Sequence, residues 1–325
     1  YKVGGLIFFQ GTPQKQAELT NRYQAESKLP LWIGFDGEWG LGMRLDNTIS
    51  YPRQLTLGAI DNTSLIYDMG EEIARQMKRI GIHINFAPDI DVNSNPNNPV
   101  INDRAFGDNK FGVVRRGLAY MKGLQENGIL TSGKHFPGHG DTEVDSHKDL
   151  PVVNHNIERL EAIELYPFKQ FIRYGVGSMM VSHLNVLSLD GAPNFPATLS
   201  PKIVQQKLID EMGYKGLIFT DAMNMKGISK YYPSGVAEVM AIMAGNDVML
   251  FPDDVDKAIE GVRCAVLQDS IISEELINRK VRKILAAKYW LGLNKYQPLK
   301  LDGIDADINN EQAKFLKFTL MENAI

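Results

Sequence analysis

The sequence has one cysteine, little excess charge and no long hydrophobic run, and each of these absences excludes something. Cys264 is the single cysteine among 325 residues, so an internal disulfide is impossible. No apolar run reaches the roughly 18 residues that a membrane-spanning helix needs. The formal net charge is −4, from 35 basic and 39 acidic residues, which leaves no basic field to hold nucleic acid or an anionic membrane. We therefore expect neither a nucleic-acid partner nor a membrane-spanning segment.

An initiating methionine is also missing, because the chain opens almost directly on an apolar run at residues 3–9. We expect that residues upstream were removed or are not included, and a signal peptide could have been among them. This reasoning favours an exported or periplasmic protein. The compartment stays open, since exported proteins can also lack disulfides. The oligomeric state stays open as well.

No glycine-rich phosphate loop or dinucleotide fingerprint follows the first apolar run. The sequence instead alternates short β-rich apolar runs with longer helical patterns, which is typical of repeated βαβ units around a parallel sheet. The runs are residues 3–9, 31–35, 83–88, 129–135, 178–184, 217–221 and 247–251. The helical patterns cover residues 64–80, 111–127, 156–174, 200–212, 235–244 and 273–291.

Polar residues follow nearly every one of these runs. In an α/β barrel the carboxyl ends of the strands and the loops after them meet at one mouth, where catalytic groups lie. This placement favours a (β/α)8 TIM barrel over an open sheet, and 325 residues are enough for one such barrel. The polar residues concerned are Asp36, Glu38, Asp89, Asp91, Lys134, His135, His183, Asn185 and Asp221.

The segment 134–147 holds three of the six histidines and three carboxylates in a glycine-broken loop, a concentration that packing alone rarely requires. Within it one residue separates Asp145 from His147, and in an extended backbone such side chains lie on the same side. A carboxylate beside an imidazole fixes its tautomer and favours its protonated form, which makes His147 a candidate general acid. The alternative is an ordinary surface pair in a flexible loop.

Asp221 ends the apolar run 217–221, where a buried strand would reach the barrel mouth. Such a carboxylate can attack the anomeric carbon of a sugar and form a covalent intermediate. It can equally cap the turn that follows the strand. Its position, more than its identity, makes it a candidate catalytic residue.

Four basic residues are candidate ligands for sugar oxygens. Lys134 and His135 end the fourth run and can donate hydrogen bonds to hydroxyl groups. Arg44 and Arg104 could grip ligand oxygens from neighbouring loops. Structural roles compete with these assignments, because His135 could bond a carboxylate on a neighbouring strand and each arginine could form an ion pair that braces a loop.

Other conspicuous residues are assigned mainly to structure. Trp32 lies inside a predicted strand and Trp290 inside an amphipathic helical pattern, so both are predicted to belong to the core. The carboxylate pair Asp89 and Asp91 precedes an Asn/Pro-rich loop and is predicted to be mainly structural. Trp39 alone among the tryptophans is a reasonable platform for stacking on a sugar.

Metal binding is the competing chemistry in segment 134–147, which contains enough nitrogen and oxygen ligands for zinc. A Pro-Gly turn between the first two histidines prevents them from sharing a helical face, as they would in His-Glu-x-x-His, and a strand-borne His-x-His is missing. We therefore expect no metal and no cofactor. The potential ligands are His135, His139, Asp141, Asp145 and His147.

The order of the motifs resembles that of a known family. Lys-His-Phe-Pro-Gly-His-Gly-Asp-Thr at 134–142 is followed by Asp-Ser-His at 145–147 and Thr-Asp-Ala-Met at 220–223. The Asn/Pro loop at 93–101 and Asp-Arg-Ala-Phe-Gly at 103–107 precede them. Together these motifs resemble the glycoside hydrolase family 3 β-N-acetylglucosaminidases, over about residues 3–290.

The resemblance implies a (β/α)8 barrel that removes terminal β-linked N-acetylglucosamine with retention and without a metal. By match to the family's motifs, Asp221 would be the nucleophile, His147 the acid/base and Asp145 its orienting partner. Residues 1–295 would form the catalytic barrel, and 296–325 a connector and helix that in some relatives leads into a further α/β domain. The residues that would bind the sugar are Asp36, Arg44, Arg104, Lys134 and His135.

The predicted function is a retaining exo-β-N-acetylglucosaminidase that acts on peptidoglycan fragments or chitin-like oligosaccharides through a covalent glycosyl-enzyme. Two alternatives stay open. A glycoside phosphorylase would use phosphate in place of water, because a neutral histidine does not repel phosphate as a carboxylate would. A sugar-binding barrel without catalysis is the other, although the joint presence of Asp145, His147 and Asp221 argues against it.

Overall fold

The computed structural model describes residues 2–146, 148–268 and 270–325. Its central feature is a parallel sheet of seven strands. These strands are β1 (Gly5–Phe8), β2 (Trp32–Phe35), β3 (Ile84–Asn85), β4 (Leu130–Phe136), β6 (Ser178–Val181), β8 (Leu217–Ala222) and β9 (Val248–Leu250). All seven coincide with the predicted apolar runs, so that prediction is confirmed. A separate parallel pair, β5 (Val152–Val153) and β7 (Asn185–Val186), was not predicted.

The sheet order is β1-β2-β3-β4-β6-β8-β9, with consecutive neighbours joined by helical connections. The α-helices are α1 (Pro13–Glu26), α2 (Gln54–Leu57), α3 (Ser64–Arg79), α4 (Lys110–Gln125), α5 (Ile157–Ala162), α6 (Leu165–Arg173), α7 (Leu187–Asp190), α8 (Lys226–Ser229), α9 (Val236–Ala244), α10 (Val255–Leu267), α11 (Glu274–Trp290), α12 (Ile304–Ile308) and α13 (Glu311–Glu322). A π-type helix covers Lys202–Glu211. The predicted helix 156–174 is divided into α5 and α6, and none of the described helices is long and apolar enough to cross a bilayer.

The sheet curls into a barrel of the TIM type, as predicted, and the described residues supply seven strands to it where the (β/α)8 prediction has eight. Alternate side chains of each strand point to opposite faces, so Met180 joins a cluster inside the curl while Met179 and Val181 pack outward under the helices. The ends of the first and last strands meet, because the rings of Phe9 and Phe251 lie 5.7 Å apart, edge to face. Within the described residues the hydrogen-bonded ladder runs from β1 to β9 without pairing those two strands directly. The inner cluster is Ile7, Trp32, Ile84, Phe86, Leu130, Met180, Leu217, Phe219, Val248 and Leu250, with residues 284–296 below it.

Helix α11 crosses the amino ends of the strands, on the side of the barrel opposite the mouth. The Nζ of Lys280 donates to the carbonyl of Gly245 at 2.8 Å, just before β9. At the other end of the helix the Nζ of Lys288 donates to the carbonyls of Gly4 and Pro30, which precede β1 and β2. The helix therefore bridges the first and last strands from below.

The two structural tryptophan predictions have different outcomes. Trp32 is buried in the barrel interior, as predicted. Trp290 is 54% exposed, so its assignment to the core was wrong. Helical periodicity identified an amphipathic face but could not tell which face of α11 the barrel covers.

The residues after the barrel pack back onto its outer helices. Ile304 and Ile308 of α12 and Leu320 of α13 are buried and join the main outer core. Arg79 at the end of α3 forms a 2.6 Å ion pair with Asp307. The predicted boundary at residue 295 stays a prediction, although α12 and α13 share the core of the helical layer.

The barrel interior supplies the first testable prediction. Phe219 is buried among Trp32 and Phe86, with ring centroids 6.2 and 5.4 Å away. Truncating it to alanine removes a large buried ring, so Phe219→Ala should lower the free energy of unfolding by about 3–5 kcal/mol. Denaturant titration measures the change. Phe318→Ala, on the exposed face of α13, is the control and should stay within about 0.5 kcal/mol; equal effects would contradict the packing described here.

Candidate active site

A cavity of about 400 Å³ opens at the carboxyl ends of the strands. This is the end at which TIM barrels carry their catalytic groups. The part of the chain described here lines it with Ile7, Phe9, Asp36, Met43, Arg44, Phe86, Val100, Arg104, Lys134, His135, His139, Ser146, Met180, Asp221, Ala222, Met225, Leu250 and Phe251. Six of the eight residues predicted to form the site therefore share one cavity.

Lys134 is the centre of the cavity's polar floor. Its Nζ is buried at the end of β4 and lies 2.7 Å from both Asp36 Oδ1 and Glu38 Oε1, which follow β2. Burial lowers the pKa of Lys134, but the two carboxylates outweigh it and raise the pKa overall. For Asp36 and Glu38 burial raises the pKa, and their cationic partners reverse the balance and lower it. All three groups are therefore charged at neutral pH.

Two arginines complete this alternating row of charges. Arg104 holds Glu38 through two nitrogens, with Nη2 at 2.7 Å and Nε at 3.0 Å from the carboxylate oxygens. Arg44 pairs with Asp36 through its Nη2 and lies with its guanidinium 5.3 Å from the ring centre of Phe9. Each arginine thus forms an ion pair, which was the structural alternative to ligand binding, and each also lines the cavity. Asp36 and Arg44 keep about a quarter of their side-chain surface open, so these two can meet a ligand.

His135 bonds through both ring nitrogens. Its Nδ1 lies 2.7 Å from Asp91 Oδ2, and its Nε2 lies 3.2 Å from the Nη2 of Arg104. Because arginine only donates, Nε2 accepts and the proton lies on Nδ1, which donates to Asp91. Burial lowers the pKa of His135 to about 4, which keeps the ring neutral. The predicted bond to a neighbouring strand carboxylate is confirmed, and the predicted sugar contact stays a prediction.

Asp91 also fixes the start of the loop after β4. It accepts the backbone N–H of His135 at 3.2 Å and that of His139 at 2.7 Å. Asp89 receives the N–H of Asp91 on Oδ1, while its Oδ2 is buried without a hydrogen bond. Burial raises the pKa of Asp89 to about 8 and of Asp91 to about 7. The pair holds the floor from beneath, which supports its predicted structural role.

His139 links this floor to the loop that carries the predicted acid/base. Its Nδ1 lies 2.7 Å from Thr142 Oγ1, whose hydroxyl bonds the carbonyl of His139. Its Nε2 lies 3.2 Å from Ser146 Oγ, which also lines the cavity. Burial lowers the pKa of His139 to about 3, so it acts as a neutral spacer between the floor and Ser146. The sequence reading considered His139 only as a metal ligand.

Asp221 lies near the end of β8, half-buried in the cavity wall. The N–H of Ala222 donates to its Oδ1 at 2.8 Å. Burial raises its pKa, but the nearby His183, His135 and Lys134 outweigh that effect and the net pKa is lowered. His183 itself is buried against Thr198 and the carbonyl of Ala222. Asp221 is thus an ionised carboxylate aimed into a cavity.

The predicted acid/base pair is only partly described. His147 lies outside the described residues, so its assignment rests on the sequence. Asp145 lies two positions earlier, half-buried, with its Oδ2 3.9 Å from Lys148 Nζ. Ser146, between them, lines the cavity, and its carbonyl accepts the N–H of Gly227 at 3.2 Å. The loop therefore borders the cavity at Ser146.

Sequence reasoning missed one member of the site and misplaced another. Glu38 joins Lys134 to Arg104, yet it was noted only as a polar residue after a strand; its position two residues beyond Asp36 was the available signal. Trp39, predicted as a stacking platform, is absent from the cavity lining, and the guanidinium of Arg53 covers its ring at 4.6 Å. That prediction was wrong for this cavity.

Of the five potential metal ligands, His147 lies outside the described residues, and the other four do not form one cluster. His135 groups with Asp89 and Asp91, while Asp141 groups with His155 and Glu164. In the first group the Nδ1 of His135 already bonds Asp91. In the second, Arg159 bonds Glu164 at 2.9 Å. Both groups are thus held together by internal hydrogen bonds and ion pairs.

A parallel α/β barrel with a charged cavity at its carboxyl end has the architecture of a TIM-barrel enzyme. The family model for the glycosyl hydrolase family 3 N-terminal domain matches residues 1–287. The chain therefore belongs to glycosyl hydrolase family 3.

Individual relatives agree with this assignment. A β-hexosaminidase A of Pseudoalteromonas piscicida is 38% identical over 275 residues, covering 78% of this chain and 46% of that protein. A β-hexosaminidase of Neisseria meningitidis serogroup C is 35% identical, covering 80% of this chain and 75% of that protein. A solved family 3 β-N-acetylglucosaminidase from Paenibacillus sp. str. FPU-7 is 35% identical with a TM-score of 0.93, covering 99% of this chain and 63% of that one. The chain thus spans about half of the first relative's length.

The charged floor generates a prediction about stability. Glu38→Gln keeps the shape of the side chain but leaves Arg104 and Lys134 buried without their shared anion. Breaking a buried ion pair from one side costs about 3–5 kcal/mol of unfolding free energy, measurable by urea titration. Asp103→Asn is the matched control, because its pair with Arg53 is exposed and should contribute less than about 1 kcal/mol. Similar small losses in both variants would contradict a buried charge network.

Asp89 generates a prediction about pH. Its pKa rises from an ordinary 3.8 to about 8 in the folded protein, so the folded state holds a proton that the unfolded state releases. The stabilisation of the folded state by this proton is complete below pH 3.8 and is lost as the pH rises through about 8. Asp89→Asn removes this loss, so the Tm of the variant minus that of the unaltered protein should increase from pH 5 to pH 9. Thermal unfolding at both pH values tests this, with Asp61→Asn, on the surface, as control; a constant difference would contradict the raised pKa.

Proposed function

We propose that this protein is a retaining exo-β-N-acetylglucosaminidase that releases terminal β-linked N-acetylglucosamine. The observation that carries the proposal is the ionised Asp221 carboxylate in the wall of a cavity whose floor is a fixed row of charged donors and acceptors. Family membership and the names of the relatives, β-hexosaminidase and β-N-acetylglucosaminidase, support the same sugar and linkage.

Asp221 is the proposed nucleophile. Its lowered pKa supplies a carboxylate at neutral pH, and its position at the end of a strand holds it rigidly. In the first step a carboxylate oxygen attacks the anomeric carbon while the bond from that carbon to the leaving oxygen breaks. The product is a covalent glycosyl-enzyme ester.

His147 is the proposed acid/base, with Asp145 as its orienting partner. The assignment rests on the Asp-Ser-His motif, and the cavity contact of Ser146 supports it. In the first step the imidazolium donates its proton to the leaving oxygen. In the second step the neutral imidazole takes a proton from water, whose oxygen attacks the anomeric carbon and frees Asp221. Two displacements restore the original configuration, which is retention.

The polar floor is the proposed recognition site for the sugar hydroxyls. Asp36 can accept from a hydroxyl while Arg44 donates to one, since both keep open surface toward the cavity. Lys134 and Arg104 lie deeper and hold Asp36 and Glu38 in place, and both line the cavity. His135 fixes the orientation of Arg104. This division assigns direct contact to the outer residues and positioning to the inner ones.

The natural substrates proposed are peptidoglycan fragments or chitin-like oligosaccharides, with no cofactor. Both contain N-acetylglucosamine in β linkage, which is the unit that the floor and Asp221 would process. The proposal rests on the N-acetylglucosamine unit alone, because none of the described residues is assigned to binding a peptide or a muramyl group.

The test is hydrolysis of 4-nitrophenyl β-N-acetylglucosaminide by the protein and by Asp221→Asn. The variant should lose at least about a thousandfold in kcat, since removal of a catalytic nucleophile typically costs this much or more, while its circular dichroism stays unchanged. Asp61→Asn, a surface aspartate, is the matched control and should keep full activity. Unfolding of Asp221→Asn, or activity close to the original, would contradict the proposed role.

The same reaction distinguishes the two alternatives. Free β-N-acetylglucosamine as the first product, seen by proton NMR, is expected for retaining hydrolysis. Formation of sugar 1-phosphate when phosphate is added would instead identify a phosphorylase. Binding of N-acetylglucosamine without turnover by the unaltered protein would support a non-catalytic barrel.

A further inference from the structure

The cavity has two unlike halves, and the apolar side chains of one of them have no role in the proposed function. The polar half lies on β2, β3 and β4 and contains the charged row around Lys134. The other half lies on β8, β9 and β1 and is apolar apart from Asp221. Its members in the described residues are Ile7, Phe9, Ala222, Met225, Leu250 and Phe251.

Phe9 and Phe251 are the most open residues of this apolar half. They are 43% and 48% exposed, although their rings contact each other edge to face across the seam between β1 and β9. The aromatic rings inside the barrel, those of Trp32, Phe86 and Phe219, are buried instead. An aromatic pair that stays exposed in the cavity wall leaves apolar surface that a ligand can cover.

The backbone at Phe251 holds its ring in this position. Its φ is +49°, in the left-handed region that bulky side chains rarely adopt. The carbonyl of Phe251 accepts the N–H of Asn224 at 3.1 Å, and that of Leu250 accepts the N–H of Met223 at 2.9 Å. These bonds tie the segment after β9 to the segment that follows Asp221. Strained backbone of this kind persists only where the surrounding structure holds it in place, and it is found most often at ligand and active sites.

The position of Asp221 decides which part of a sugar meets the apolar half. If Asp221 attacks the anomeric carbon, the substituent on the next ring carbon lies beside the neighbours of Asp221. On the β9 side those neighbours are Ala222, Leu250 and Phe251, none of which has a side-chain hydrogen-bonding group. A hydroxyl there would lose its water without gaining a side-chain partner, whereas the methyl of an acetamido group would gain apolar contact.

Resting on the proposed function, we propose that Phe251 and Phe9 form the pocket for the acetamido methyl group and thereby set the preference for N-acetylglucosamine over glucose. Phe251 supplies the wall next to Asp221, and Phe9 supports it from β1. The polar half then recognises what the two sugars share, and the aromatic pair recognises the group by which they differ.

The test compares kcat/KM for 4-nitrophenyl β-N-acetylglucosaminide and 4-nitrophenyl β-glucoside in three variants. Phe251→Gly removes the ring and suits the positive φ, so it avoids added strain. Phe9→Ala removes the supporting ring from an independent strand. Phe111→Ala is the matched control, because Phe111 forms a similar edge-to-face pair with Tyr166 on the surface.

The expected result is a loss of about tenfold or more for the acetamido substrate in Phe251→Gly, the size typical of a small apolar group in a specificity pocket, with less than a twofold change for the glucoside. Phe9→Ala should change the ratio in the same direction, and Phe111→Ala should change neither substrate. The inhibition constants of free N-acetylglucosamine and free glucose provide the same comparison where the glucoside is cleaved slowly.

Three outcomes would overturn the proposal. Equal losses for both substrates would make the pair a general platform, and an unchanged ratio would remove it from recognition. A loss that changes when 4-nitrophenol is replaced by 4-methylumbelliferone would move the pair to the leaving-group side. Failure of the unaltered protein to cleave either substrate is a different result, because it contradicts the proposed hydrolase rather than the pocket.

Discussion

The buried ammonium of Lys134 is the constraint on which the mouth of the barrel depends. A charge removed from water is stable only when partners surround it, and here Asp36 and Glu38 supply them from the loop after β2. Glu38 in turn requires Arg104 from the loop after β3. Three consecutive strands are thereby joined through side chains above their backbone ladder, and the cavity floor is fixed before a ligand arrives. Such preorganised charge is what an enzyme needs to stabilise a polar transition state.

Below this row, burial separates residues that carry charge from residues that do not. His135 and His139 are neutral because burial depresses their pKa values. They therefore act as oriented hydrogen-bonding groups, with Asp91 holding both of their backbone amides. Asp221 differs because its cationic and imidazole neighbours outweigh its burial. The same low-dielectric mouth thus yields neutral histidines on β4 and in the loop after it, and an anion on β8.

The barrel could be predicted from the sequence because its strands are apolar runs that end in polar residues. Strands β5 and β7 were missed because each has only two residues and, unlike the equally short β3, neither lies within a predicted apolar run. The site was only partly predictable. Asp36 follows its strand, and Lys134 and Asp221 lie near the carboxyl ends of theirs, which marks all three as site candidates. Glu38 instead acquires its role from Arg104, 66 residues away. Tertiary contacts also decide exposure, which is why helical periodicity misassigned Trp290.

The division of the cavity into a polar half and an apolar half follows from the order of strands around the barrel. The polar half lies over β2 to β4, where hydrogen bonds and ion pairs cross from strand to strand. The apolar half includes the place where β9 approaches β1, and the described ladder has no direct pairing between these two strands. Asp221 lies on β8, at the edge of the apolar half, so a sugar placed for attack would contact both halves. Geometry of this kind couples the reaction and its selectivity in one small volume.

The central claim is that Asp221 forms a covalent bond to the sugar, and trapping that bond tests it most directly. The protein is incubated with 5-fluoro-N-acetylglucosaminyl fluoride. Its anomeric fluoride is a good leaving group, so the ester between Asp221 and the sugar can form, and the fluorine at carbon 5 slows hydrolysis of that ester. Mass spectrometry of the intact protein and of its peptic fragments then locates the sugar. The account predicts one added fluorosugar on the peptide that contains Asp221. Inactivation with the sugar on another residue, or rapid turnover of 4-nitrophenyl β-N-acetylglucosaminide with no adduct at Asp221, would contradict it.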